Sequence, residues 1–207
     1  MSATARRARY REQRENTRRG ILAAADDFLR EWPFRELSVD VLMAETDLTR
    51  TAFYRHFDDV TDLVLRLLAD LADKLYPVAE RWRAVAGKEY PRGAQEALSA
   101  VVDLFVEDGP LIRAIADAAV TDERIEASYR AVRAGLMDLA AQTLQSLAGQ
   151  GRLEVASSQA LARALTLMNE AYLLEEFGRE PFGDRDTALA TLERVWLNAV
   201  DLRPARP

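Results

Sequence analysis

Apolar residues recur along this chain every three or four positions, the period of a helix buried on one side. Ile21, Leu22, Ala25, Phe28 and Leu29 share one face, and Val60, Leu63, Val64, Leu67, Leu68, Leu71 and Leu75 form a longer stripe. Leu98, Val101, Val102 and Phe105 make the next. Ile125, Tyr129, Val132, Leu136, Leu139, Leu144 and Leu147 mark a long helix, followed by Leu161, Leu165, Met168, Ala171 and Tyr172. Leu189, Leu192, Val195, Trp196 and Ala199 close the set. No run of β-branched residues alternates with period two. The pattern predicts an all-α chain of about nine helices, the first three short.

Breakers separate the stripes. Trp32-Pro33 ends the first helix, because a residue before proline disfavours α geometry. Pro77 is expected to kink or end the regular part of the fourth helix. Gly87 to Gly93, with Pro91, reads as a linker, and Asp108-Gly109-Pro110 as a turn that starts a short helix at Leu111. Gly149-Gln150-Gly151 ends the long helix, and Gly178 to Gly183 forms the last turn.

The most informative stretch is 37–57, LSVDVLMAETDLTRTAFYRHF. Ser38 is a good N-cap for a short helix over Val39–Glu45, and Thr46-Asp47-Leu48 makes a tight turn. Thr49 caps a second short helix, Arg50–Phe57. Two short helices, a tight turn and an inward apolar residue at the turn, Leu48, are the parts of a helix-turn-helix. A reading helix presents small or polar side chains where it meets base edges, as Thr49, Arg50, Thr51 and Ala52 do. Arg50 has the fork that matches guanine O6/N7. Tyr54, Arg55 and His56 carry groups that hydrogen-bond phosphate. Phe53 and Phe57, four apart, face inward. A plain αα corner in a helical bundle is the competing reading of the spacing alone.

Charge changes the picture once it is located. The 207 residues hold 28 Lys+Arg, 34 Asp+Glu, one His and no Cys, a net −6 that argues against a nucleic-acid partner. Residues 1–20, however, carry seven arginines against two glutamates, a local +5. Residues 1–57 sum to +2 and residues 58–207 to −8. A basic arm on an acidic body points to an anionic partner for the arm, or to a solubilising tail. The absence of Cys removes thiolate chemistry, and a lone His56 leaves no histidine pair for a metal. No catalytic residue, cofactor or metal is expected. No apolar run is long enough to span a membrane and no secretory signal opens the chain, so a cytoplasmic protein is expected.

Residues 18–68 resemble the DNA-binding domain of TetR-family transcriptional regulators. The match runs through Ile21-Leu22-Ala23-Ala24-Ala25 with Phe28, Leu37-Ser38-Val39, the block Leu48 to Phe57, and Leu63. Its specific part is the aromatic block Phe53-Tyr54-x-His56-Phe57. The resemblance implies a basic arm over 1–17, a helix-turn-helix domain over 18–75 and a C-terminal ligand-binding and dimerisation bundle over 76–207. The long fourth helix joins the two domains. It implies DNA contacts from Ser38, Thr49, Arg50, Thr51, Tyr54 and His56, with Arg6, Arg7, Arg9 and Arg11 of the arm along or in the neighbouring groove. Two departures stand out. Asp47 replaces the usual turn glycine, where its tolerance of left-handed φ would keep the turn. Asp58-Asp59-Val60-Thr61 replaces the usual lysine of helix four, which removes a phosphate contact.

In the body, Asn169 and Glu170 interrupt an apolar helix. Buried polar groups are costly unless paired, so they are expected to serve a ligand or an interhelical bond. The region from Ala164 to Phe177, with Val195-Trp196, is similar to the ethionamide-resistance regulator branch of the family. That similarity implies a tunnel with Thr166, Asn169, Glu170 and Leu174 on one helix. Phe105, Tyr129 and Met137 are its wall candidates, and Trp196 lies at the tunnel's end or at a dimer seam. A plain core role is the alternative for these aromatic residues. Leu189, Leu192, Val195 and Ala199 are expected at a two-fold interface. The resulting expectation is a homodimeric repressor released from a palindromic double-stranded DNA operator by a small hydrophobic effector. A TetR-like activator and an all-α interaction protein without DNA binding are the alternatives, and an enzyme ranks last.

Overall fold

Ile21, Leu22, Ala25 and Leu29 are buried on the first helix, and they fix where the N-terminal part of the chain assembles. In the computed structural model, which describes residues 3–85, 90–151 and 153–200, this helix is α1 (Ala3–Glu31). A single 3-10 turn over Phe34–Glu36 follows, then α2 (Val39–Ala44), α3 (Arg50–Tyr54) and α4 (Val60–Val85). The rest is α5 (Tyr90–Ala119), α6 (Glu123–Gly149), α7 (Ser158–Phe177) and α8 (Arg185–Ala199). Eight α-helices and no strand occur among the described residues, so the all-α expectation holds.

The contacts divide the chain into two units. One holds the residues up to Ala69 together with Ala114–Ser128, and the other holds Asp70–Arg113 and the residues from Tyr129 onward. Each division falls inside a helix, so α4, α5 and α6 continue from one unit into the other.

In the first unit α1, α2 and α3 pack on one another around Leu42, Met43, Phe53 and Phe57. Segment 114–128 is held to the start of α4 by two polar links. Thr61 Oγ1 donates to Asp122 Oδ2 at 2.8 Å, and Arg124 Nη1 pairs with Asp59 Oδ2 at 2.7 Å. Burial opposes ionisation of both aspartates. The amide and hydroxyl donors and Arg124 outweigh it and hold both carboxyls below their ordinary range.

In the second unit α7 and α8 pack together, and both are capped by side chains: Ser157 accepts from Ala160 N, and Asp184 from Thr187 N. The buried set includes Val102, Phe105, Leu144, Leu147, Leu165, Leu173, Ala188, Leu192 and Trp196.

Three expectations about the elements are corrected. The first helix is not short: the arginine-rich segment continues α1 without a break, because Ala, Arg, Glu and Gln favour helix and no proline interrupts them. Asp108-Gly109-Pro110 is not a turn, and α5 runs through it. Proline there forfeits one backbone bond, but Leu104, Phe105, Leu111, Ile112 and Ile115 are buried on both sides of it, and that burial outweighs the loss. Pro77 likewise lies within α4 rather than at its end. Of the expected linker, residues 86–89 lie outside the described residues, and Tyr90 already begins α5.

Candidate DNA-reading surface and effector residues

The two short helices owe their starts to hydroxyl caps. Ser38 Oγ accepts from Val41 N and Thr49 Oγ1 from Ala52 N, both at 3.2 Å. Between them Thr46 organises the turn: its hydroxyl lies 3.3 Å from Met43 O, and Leu48 N donates to it at 3.2 Å. No described residue other than glycine has a positive φ. Asp47 therefore closes the turn without the left-handed backbone expected of it, since Thr46 supplies the bonds that hold the chain there. Asp59, in the segment that replaces the usual lysine, accepts from Asp62 N at 2.7 Å and so caps α4.

Phe53 and Phe57 are buried, 5.6 Å apart between ring centroids, and pin α3 to its own domain. The opposite side of α3 is open: Thr49, Arg50, Thr51 and Tyr54 are exposed, and His56 is half-buried. Arg50 is not idle there. Its guanidinium lies 2.8 Å from Asp40 on α2, and Tyr54 and Asp40 together raise its affinity for the proton. Asp40 is a residue the sequence reading missed; only the angle between α2 and α3 brings it to Arg50. His56 is shifted the other way: burial, then Arg14 and Arg18 of α1, lower its pKa, so it stands neutral near pH 7. Arg18 also lies over the Phe57 ring, 5.8 Å from its centroid. Arg6, Arg7, Arg9 and Arg11 are exposed along α1.

In the second unit the polar residues of α7 make interhelical bonds. Trp196 Nε1 donates to Asn169 Oδ1 at 3.0 Å, and the Trp196 ring meets Trp82 edge-on at 5.4 Å. Tyr129 donates its hydroxyl to Glu170 at 2.5 Å, and Arg133 lies 3.4 Å from the same carboxylate and over the Tyr129 ring. Burial and then Glu170 raise the Tyr129 pKa well above its ordinary value, so the phenol remains a donor. Asn169 and Glu170 on α7 are thus bonded to neighbouring helices, Asn169 to Trp196 on α8 and Glu170 to Tyr129 on α6. Thr166, Leu174 and Met137 are half-buried on α7 and α6, and Phe105 is buried on α5.

Two positions need correction. Leu192, expected at a two-fold seam, is 1% exposed within a single chain and has no surface left for a partner. Trp196 is buried as well, which removes the seam as its place. Leu189, Val195 and Ala199 on the same helix keep partial exposure.

A capped helix-turn-helix with an open reading face, on an all-α body with a polar cluster between apolar helices, defines a DNA-binding transcriptional regulator. Residues 94–201 match the family described as "Transcriptional regulator EthR, C-terminal domain", and the chain belongs to that family, an EthR-like branch of the TetR regulators. It is 26% identical over 186 residues to the HTH-type transcriptional regulator EthR of Mycolicibacterium smegmatis, covering 87% of this chain and 84% of that one. Its fold is shared by the MbdR regulator of Azoarcus sp. CIB (20% identity, 88% of this chain and 98% of that one, TM-score 0.75). It is shared too by SmeT, solved as a complex with triclosan (18% identity, 89% and 91% coverage, TM-score 0.68). No described helix is long and apolar enough to cross a membrane.

Proposed function

We propose that this chain is a cytoplasmic homodimeric repressor that reads a palindromic operator through α3 and leaves it when a small hydrophobic effector binds the C-terminal unit. The observation that carries the reading is the exposed row Thr49, Arg50, Thr51 and Tyr54 opposite the buried Phe53 and Phe57. Such a helix is fixed by its back and free at its front. Ser38, Tyr54 and His56 would then hold phosphates, and Arg50 would exchange Asp40 for a base edge. A single short helix reads too few base pairs for useful specificity, and a two-fold pair of heads about one helical turn apart supplies the rest. Leu189, Val195 and Ala199 are the proposed seam.

The effector is proposed to lie among Phe105, Tyr129, Met137, Thr166, Asn169, Glu170 and Leu174, where apolar walls carry few polar anchors. The EthR-like C-terminal domain and the triclosan complex of a relative of the same fold support this chemistry. Helices α4, α5 and α6 continue from one unit into the other, which offers a covalent route for a population shift.

The test is a mobility-shift titration of duplex DNA from upstream of the protein's own coding sequence, with the unaltered protein and Arg50→Ala. A saturable shift by the first, and its loss in the second, is the expected result. No shift at low salt would sink the repressor reading.

A further inference from the structure

Helix α1 changes character along a single face. Successive residues of a helix turn by about 100°. Ile21, Leu22, Ala25 and Leu29 lie on the side that α1 buries in its own domain. Carried back towards the N-terminus, that same side holds Arg7, Arg11, Arg14 and Arg18 within an arc of about 60°. Glu12 and Glu15 fall outside the arc, as do Arg6, Arg9 and Arg19, although Glu15 reaches Arg18 at its edge, 3.6 Å away. One helix face is therefore apolar where its domain covers it and arginine where it projects past the domain. Arg7, Arg11 and Arg14 are exposed.

The stripe is also tied to the reading helix. Arg18 lies 5.8 Å from the centroid of the Phe57 ring, just past the end of α3, and Arg14 acts with it on His56. The arginine face thus begins beside the segment Tyr54–Phe57 and continues along α1 towards its N-terminus.

We propose that Arg7, Arg11, Arg14 and Arg18 form a rigid rail that binds the phosphates of double-stranded DNA flanking the half-site. This deepens the DNA-binding reading above and rests on it. The rail is about 16 Å long, which matches the rise of roughly five base pairs along the duplex axis. A preformed helix orders no backbone on binding, unlike a flexible tail, so its charges act at lower entropic cost. Arg6, Arg9 and Arg19 point to other sides of α1 and contribute only general charge. The basic N-terminal segment thereby offsets the negative charge of Asp58 and Asp59, the second of which caps α4.

The test uses the full chain and a duplex enriched by it from a random-sequence pool, with flanks of about one helical turn on each side. Arg7→Gln/Arg11→Gln/Arg14→Gln is compared with the charge-matched Arg6→Gln/Arg9→Gln/Arg19→Gln. The stripe variant is expected to lose roughly tenfold or more in affinity, with the salt slope falling by about 3 per reading head. The matched variant is expected to lose much less. Trimming the flanks should weaken the unaltered protein and leave the stripe variant little changed. Equal losses in the two variants, or a stripe variant that keeps its dependence on the flanks, overturn the rail while leaving the reading helix intact. Failure of the unaltered protein to enrich any duplex overturns both.

Discussion

The indole N–H of Trp196 on α8 donates to the side-chain oxygen of Asn169 on α7 at 3.0 Å, while the indole ring rests edge-on against Trp82. Asn169 is thereby both a structural acceptor and a proposed effector anchor. Removing it as Asn169→Leu leaves a buried indole donor unsatisfied, which costs about 1–3 kcal/mol. Thermal unfolding should show a fall of several degrees. In the double variant with Trp196→Phe the losses should be less than additive, since the second change removes the orphaned donor. Strict additivity would mean that the bond carries no energy.

Asp40 holds Arg50 in an ion pair at 2.8 Å, and under the proposed reading it competes with DNA for that guanidinium. Replacing it as Asp40→Asn frees the guanidinium and takes a negative charge from the edge of the reading face. Affinity for operator DNA at low salt should rise several-fold, whereas Arg50→Ala should lower it roughly tenfold or more. Parallel titrations of the two variants on one duplex check the pair. A weaker Asp40→Asn protein would instead mark Asp40 as an orienting group for Arg50.

Two glycines make a contrast in sign. A Cβ on Gly109 would lie 2.2 Å from the backbone oxygen of Phe177, so Gly109→Ala must push α5 and α7 apart and cost about 1–3 kcal/mol. Gly20 has nothing within 4 Å, so Gly20→Ala gains helix propensity and stabilises by about 0.5–1 kcal/mol. Urea unfolding of both variants separates the cases.

The start of α4 is expected to loosen in acid. Asp59 and Asp122 titrate below their ordinary range in the folded chain. Their contribution is complete above the unfolded pKa near 3.9 and is lost as pH falls through the folded values. Stability measured from pH 6 down to pH 3 should fall less steeply for Asp122→Asn than for the unaltered chain. Parallel curves would assign the acid sensitivity elsewhere.

Much of this was readable in one dimension. The caps Ser38 and Thr49, the inward pair Phe53 and Phe57, and the outward Thr51 and Tyr54 follow from local rules, because a cap needs only a hydroxyl at the right step and a helix face needs only its period. The continuity of α5 through Gly109-Pro110 was not readable. Local propensity votes for a turn there, and what overrules it is the burial of Leu104, Phe105, Leu111, Ile112 and Ile115 on either side, which tertiary packing decides. The turn at Asp47 is a smaller case: the residue type suggested a left-handed backbone, and the Thr46 hydroxyl made one unnecessary.

The sequence by itself determined the all-α class, the reading motif and the separation of a basic head from an acidic body, since each depends on spacing or charge along the chain. Tertiary structure alone decided the pairings between distant residues: Arg50 with Asp40, Asn169 with Trp196, Glu170 with Tyr129, and Asp59 with Arg124. It also decided that Leu192 is core rather than seam. A periodic stripe states that a face is covered, and which neighbour covers it is set only when helices pack.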